Sequence, residues 1–189
     1  MEFVKTEELY QENEADQMMY DFPDLLEEFK ICRDYLGAHL INLSEDEFHW
    51  VPDELGAVSI AQHVGHVGFT EKELGKKAEV VFSFRLDIHD DIFSETDACI
   101  RPQDLPTQSE IMDYLHQIHQ TFMDDIRFSK KQEALFALIN HTYEHTRAIR
   151  HILTDLGHEV PEHQPPSNRV REKESDDETP LYCLPVYAN

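Results

Sequence analysis

Apolar residues recur every three or four positions along most of this chain, which is the spacing that places them on one face of an α-helix. The pattern predicts four long helices, near residues 23–43, 60–82, 107–126 and 132–156. A connector at 44–58 separates the first two helices. Four amphipathic helices joined in this way predict an all-α protein built as a four-helix bundle.

Residues with capping and turn preferences agree with these boundaries. Ser59 is placed as the N-cap of the second helix, and Thr107 to Glu110 has the pattern of a capping box at the start of the third. Gly157 is placed to end the fourth helix. Residues 85–106 contain two prolines and predict a long loop between helices two and three. The short break at 129–131 predicts that helices three and four are antiparallel neighbours.

The chain divides into three parts by composition. Residues 22–157 form the predicted bundle, preceded by an acidic extension at 1–21 and followed by a charged, proline-rich tail at 158–189. The last stretch of the tail, LYCLPVYAN, is apolar enough to dock on another surface. The chain has no apolar run of the roughly 20 residues that a membrane span needs, and its first residues lack a signal-peptide core.

The charge of the chain restricts its partners. With 39 acidic and 16 basic residues, the net charge is −23, which disfavours a nucleic-acid backbone or an anionic membrane surface. Cys32, Cys99 and Cys183 lie far apart and form no CxxC pair, which indicates a reducing compartment. We therefore expect a cytoplasmic protein that acts on a small molecule, and the sequence leaves a homodimer open.

The most informative motif is a pair of histidines in the fourth helix. His141 and His145 are four residues apart, so both rings lie on one helix face, and the surrounding apolar stripe turns that face inward. Two imidazoles one turn apart can share a divalent metal ion. The alternative is a pair of surface or hydrogen-bonded core residues, because HxxxH pairs arise by chance in a chain with 12 histidines.

A third ligand would have to come from another helix. The histidines available there are His39 in helix one, His63 and His66 in helix two, and His116 and His119 in helix three. A helical wheel of helix two places His63 closer to the centre of the apolar stripe and His66 at its edge. Periodicity alone slightly favours His63.

Three strings of the sequence resemble the DinB/YfiT-like superfamily. They are LSEDEFHWVP at 43–52, SIAQHVGHVGFTE at 59–71, and the His141-x-x-x-His145 motif. Their order and spacing together cover residues 22–157. The resemblance implies a four-helix bundle with an interior metal ion that is held by one histidine of helix two and the pair of helix four.

The resemblance also assigns residues. It places the helix-two ligand at His66, beside His141 and His145, and makes His63 a neighbour that faces the site. Three neutral imidazoles leave coordination positions open, as in catalytic sites. Glu71 lies near the apolar stripe of helix two and is a candidate base or ligand-orienting residue; the alternative is a carboxylate that reaches solvent or an arginine.

The better-understood members of this superfamily conjugate or isomerise small molecules with a low-molecular-weight thiol such as bacillithiol or mycothiol. The resemblance therefore implies a thiol-dependent S-transferase or hydrolase that uses zinc, nickel or iron. A non-catalytic metal-binding or stress-response bundle is the alternative. Two departures leave the substrate class open: Thr146-Arg147-Ala148 stands where many members have a His-Arg-Gly-Gln-like segment, and the loop between helices three and four is shorter.

Overall fold

The computed structural model describes residues 22–53, 56–82, 88–94, 104–129 and 132–160. Within these ranges the protein contains helices and no strand, which confirms the all-α fold class. The N-terminal extension, the tail beyond residue 160 and most of the predicted crossing loop lie outside the described residues.

Four long helices and two short ones make up the described structure. They are α1 (Phe22–His39), α2 (Glu45–His49), α3 (Ile60–Lys77), a 3-10 helix (Asp90–Phe93), α4 (Gln108–Ser129) and α5 (Gln132–Asp155). None of them is long and apolar enough to cross a membrane.

The first helix ends earlier than its apolar pattern predicts. α1 stops at His39, and the chain turns through Asn42, whose φ of 65° is left-handed. Leu40 and Leu43 are nevertheless buried, so they continue the apolar spacing from a turn. The prediction of a helix to residue 43 was wrong because burial at helical spacing does not require helical backbone.

The predicted connector at 44–58 contains a short helix. Ser44 caps α2: its hydroxyl accepts a hydrogen bond from the Glu47 amide, and the Glu47 carboxylate accepts one from the Ser44 amide. This reciprocal capping box accounts for a helix of only five residues. The short helix packs on α3, so it supports the helix that carries His66.

The predicted start of α3 is confirmed, and its end comes earlier than predicted. Ser59 is the N-cap and forms a capping box with Gln62. The helix ends at Lys77, not near residue 82, because Glu79 takes a left-handed φ of 67°. Val80 then returns to the core.

The last two helices follow the predicted boundaries closely. Thr107 and Glu110 form the expected capping box at the start of α4. At the end of α5, Gly157 takes a φ of 84°, and the His158 amide donates to the Leu153 carbonyl 2.9 Å away. This is the Schellman arrangement that favours glycine after a helix.

The packing order of the helices differs from the sequence-based expectation. α5 packs mainly on α1 and α3, and α4 packs mainly on α3. The short connection at 129–131 therefore does not make α4 and α5 each other's main partners. They share an apolar cluster at one end of the bundle, whose buried members include Phe122, Ile126, Leu135 and Leu138. α3 lies at the centre of the arrangement, in contact with both α4 and α5.

Candidate metal centre

Three histidines from two packed helices meet on one side of the bundle. His66 of α3 and His141 and His145 of α5 each offer a ring nitrogen, and these nitrogens all lie within 4.8 Å of one another. The ring centroids are 5.1 Å apart for each pair that includes His66, and 4.4 Å apart for His141 and His145. Nitrogens bound to one tetrahedral zinc ion are about 3.3 Å apart. The spacing is therefore close to that of a shared ion.

The orientation of His66 is set by a backbone carbonyl. Its Nδ1 lies 2.8 Å from the carbonyl oxygen of Phe93 in the 3-10 helix. Because a carbonyl only accepts, Nδ1 carries the proton and donates it. The other nitrogen, Nε2, is left with its lone pair. This is the usual support for a metal-binding histidine, whose second ring nitrogen donates to an oxygen outside the coordination sphere.

The pair from α5 faces the same point. Nε2 of His141 and Nε2 of His145 are 3.2 Å apart. The hydroxyl oxygen of Thr70 lies 3.4 Å from Nε2 of His141 and 3.5 Å from Nε2 of His66. Thr70 follows His66 by one helical turn, so it shares the same face of α3. Three ring nitrogens and one hydroxyl thus converge on a single point.

His63 contacts the cluster from behind. Its Nδ1 lies 2.9 Å from Nδ1 of His145, on the side of that ring away from His141. The ring of His63 is fully buried, and its Nε2 has no hydrogen-bond partner among the described residues. The three nitrogens that can share an ion do not include one from His63.

Burial keeps the imidazoles of the cluster neutral. It lowers the pKa of His63 and His141 to about 3, with further lowering from the neighbouring rings. Burial also places the pKa of His145 well below its ordinary value and lowers that of His66, although the Phe93 carbonyl opposes the shift of His66. Neutral imidazoles retain the lone pairs that a metal ion needs.

A glycine brings the supporting carbonyl close to α3. A Cβ atom on Gly65 would lie 2.3 Å from the ring of Phe93, which is far too close. Only glycine allows the Phe93 ring to pack against the helix at this point. Since Gly65 precedes His66, the same contact places the Phe93 carbonyl within reach of the His66 ring.

Glu71 is engaged elsewhere in the bundle. Its side chain is 1% exposed, with Oε1 2.9 Å from Nδ1 of His119 on α4 and Oε2 3.4 Å from Nη2 of Arg33 on α1. Arg33 is also buried, and its Nη2 donates to the Leu115 carbonyl at 3.5 Å. These contacts are those of a carboxylate paired with an arginine, the second of the two interpretations of Glu71. Its catalytic role stays a prediction.

The remaining histidines considered for the third ligand have other surroundings. Nδ1 of His39 donates to the Tyr35 carbonyl one turn earlier, at 2.8 Å. His119 donates to Glu71, and His116 is exposed on α4. The structure therefore groups His66, and not these residues, with the pair of α5.

Sequence reasoning missed two residues at this site. The sequence could have indicated Thr70, because this residue lies four positions after His66 and therefore shares its face of α3. The sequence gives no indication of Phe93, because its contribution is a main-chain carbonyl in a segment without regular periodicity. The pairing of His63 with His145 was also invisible, since it depends on how α3 and α5 are rotated against each other.

Comparison with protein families identifies the chain. The family model of the DinB superfamily matches residues 28–159, and the chain belongs to this family. No match was found among curated proteins or among solved structures. The matched segment contains all four long helices apart from the first residues of α1, together with the whole three-histidine cluster. Family membership and the cluster support a metal-binding helical protein.

Proposed function

We propose that this protein is a metal-dependent enzyme that transfers a small thiol to an electrophile, or hydrolyses a small ester or amide-like bond. The observation that carries the proposal is the convergence of three neutral imidazole nitrogens within 4.8 Å. His66, His141 and His145 would hold a divalent ion such as zinc, nickel or iron. When bound by three neutral imidazoles, such an ion lowers the pKa of a bound water to near 7 or deprotonates a coordinated thiol.

The donor set fits an ion with an open position. Within the described residues, the cluster supplies three ligand atoms and not four, and His66 and His141 are only partly buried. Thr70 places a hydroxyl beside two of the ligand nitrogens, where it can donate to or accept from a small polar group. This arrangement is typical of catalytic sites, whereas structural zinc sites have four protein ligands.

The described cysteine is unsuited to act as the nucleophile. Cys32 is buried, its Sγ donates weakly to the Ile139 carbonyl at 3.5 Å, and burial raises its pKa to about 12. Thiols act as thiolates, so a group with this pKa is inert near neutral pH. A thiol-transfer reaction would therefore draw on a separate small thiol, and the net charge of −23 favours electrophiles without strong negative charge.

The assay compares metal-loaded wild type with His145→Ala in a screen of small thiols against a generic electrophile, and of simple esters and amides. We expect turnover by the wild type and its loss in the variant. Elemental analysis of protein purified without a histidine tag would identify the ion. Equal turnover by the two proteins would contradict the catalytic proposal.

The second candidate is a non-catalytic metal-binding bundle that acts through protein contacts. Its specific support is the acidic composition of the chain and the apolar LYCLPVYAN segment, which lies outside the described residues. Stoichiometric metal in the wild type without turnover in the whole screen would favour it. We also propose a cytoplasmic location and a small-molecule partner for the enzyme, with homodimer formation open to direct measurement by light scattering.

A further inference from the structure

Two buried imidazoles, those of His63 and His145, are in contact through their Nδ1 atoms. Their Nδ1 atoms are 2.9 Å apart, the ring centroids are 5.1 Å apart, and the ring planes are inclined by 61°, so the two rings meet through these nitrogen edges. Two nitrogens at this distance must share one proton: one donates and the other accepts. The contact therefore has two forms, which differ in the tautomer of both rings.

When an ion is present, Nε2 of His145 determines which of the two forms occurs. Nε2 of His145 faces His141 and His66, so coordination uses the Nε2 lone pair. A neutral ring that coordinates through Nε2 carries its proton on Nδ1. Nδ1 of His63 is the group in contact with that N–H, and it must then be the acceptor.

We propose that His63 is a positioning residue that accepts the Nδ1 proton of His145 and so holds that ligand in the coordinating tautomer, and that His63 is not a fourth ligand. The inference rests on the proposed function, because it assumes that His66, His141 and His145 hold a divalent ion. A carboxylate or carbonyl usually takes this part in metal sites. Here a second imidazole does so, while the Phe93 carbonyl does the same for His66.

The acceptor role of Nδ1 also determines the protonation of Nε2 of His63. With Nδ1 accepting, Nε2 of His63 carries the proton, and this atom is buried without a hydrogen-bond partner among the described residues. A buried N–H of this kind costs free energy.

The test compares zinc affinity in full-length variants, measured by competition with a chromophoric chelator. His63→Asn keeps an acceptor, because Oδ1 of asparagine occupies nearly the place of Nδ1, whereas His63→Leu removes it at similar volume. We expect leucine to weaken zinc binding about 10- to 100-fold and asparagine to weaken it clearly less than leucine does. His39→Leu is the control. His39 is also buried, but its Nδ1 donates to a carbonyl of its own helix, so its removal should leave zinc affinity unchanged.

A second measurement reads the hydrogen bond directly. In zinc-loaded wild type with 15N-labelled histidine, NMR should show His63 as the Nε2–H tautomer and a 15N–15N coupling between its Nδ1 and that of His145. Equal losses for asparagine and leucine, a wild-type affinity in His63→Leu, or coordination of zinc by His63 would each overturn the inference. Absence of zinc binding by the wild type would instead overturn the three-histidine site itself.

Discussion

Two buried polar clusters each include a residue of α3, and these residues lie one to two helical turns apart. The clusters differ in charge. The three-histidine cluster, formed by His66, His141 and His145, consists of neutral rings whose nitrogens lie within 4.8 Å of one another. The ion-pair cluster, formed by Glu71, Arg33 and His119, brings a buried carboxylate against a buried guanidinium. The histidine cluster contains no charged side chain, whereas the ion-pair cluster contains opposite charges.

This difference separates a binding site from a structural network. Imidazole nitrogens that converge in a partly exposed place can bind a cation from solution. Buried opposite charges stabilise one another, and removal of one leaves the other unpaired. Glu71 and His66 are five residues apart on the same helix, yet mutations at them should affect different properties: stability for Glu71 and ion binding for His66.

The largest effect is expected from Glu71→Gln. This change removes the charge at nearly constant shape and leaves Arg33 buried without its partner, so the free energy of unfolding should fall by about 3–5 kcal/mol. Urea unfolding measures it. Glu73→Gln is the control, because Glu73 pairs with Lys76 on the surface, where such pairs contribute about 0–1 kcal/mol. A Glu71→Gln protein as stable as wild type but inactive would instead support a catalytic role for Glu71.

Acid should lower the free energy of unfolding through His63 and His141 when no ion is bound. The folded pKa of His63 and His141 is about 3, below the ordinary value of 6.5, so the unfolded chain binds protons first as pH falls. Their contribution to stability is complete above pH 6.5 and is lost toward pH 3. At pH 5 the loss is about 2 kcal/mol for each ring, roughly 4 kcal/mol for both.

The measurement is urea unfolding of chelator-treated protein between pH 7.5 and 4.5. His141→Leu should reduce the pH slope by about 1.4 kcal/mol per pH unit below pH 6, since one fewer ring takes up a proton on unfolding. The difference between the two proteins removes contributions that are common to both. Parallel pH profiles would show that His141 is not held neutral by the fold.

Removal of the ion should destabilise the wild type and leave a ligand variant unaffected. Binding at a hundredfold excess over the dissociation constant stabilises the folded state by about 2.7 kcal/mol. A chelator should therefore lower the melting temperature of metal-loaded wild type, measured by scanning calorimetry, and should have no effect on His141→Ala. If chelator shifts both proteins equally, the ion binds somewhere other than the three-histidine cluster.

The smallest expected effect concerns the glycine beside His66. Gly65→Ala adds a Cβ that meets the Phe93 ring at 2.3 Å, and overpacking of this kind costs about 1–3 kcal/mol. Displacement of Phe93 should also weaken zinc binding, because its carbonyl orients His66. Gly37→Ala is the matched control: it lies in a helix with open space around it and should raise stability by up to about 1 kcal/mol.

The two glycine variants compare local and tertiary effects directly. Both replace glycine with a better helix former, so helix propensity predicts the same sign for both. Only the contact with Phe93 distinguishes them. Equal stabilisation by the two changes would mean that Phe93 is free to move and that its carbonyl does not fix His66.

Most of the fold was predictable from the sequence because it depends on local interactions. Apolar spacing located the four long helices, and short-range side-chain chemistry located Ser59, Thr107 and Gly157 at their ends. The errors occur where short-range interactions do not determine the structure. α1 ends four residues before its apolar pattern does, and the short connection after α4 did not reveal that α5 packs mainly on α1 and α3.

The site divides in the same way. The i, i+4 spacing was enough to place His141 and His145 on one face, whereas the wheel of α3 slightly favoured His63 over His66. The physical reason is geometric: the ring of His63, the more buried of the two, contacts His145 on the side away from His141, and the ring of His66, at the edge of the stripe, faces the pair of α5. Family resemblance, not periodicity, selected His66.

The sequence by itself thus determined which residues lie on which face of each helix. Only the tertiary structure decided which faces meet, because the rotation and offset of packed helices depend on many contacts together and leave no short-range pattern. The Phe93 carbonyl behind His66, the contact between His63 and His145, and the partners of Glu71 all belong to this second group.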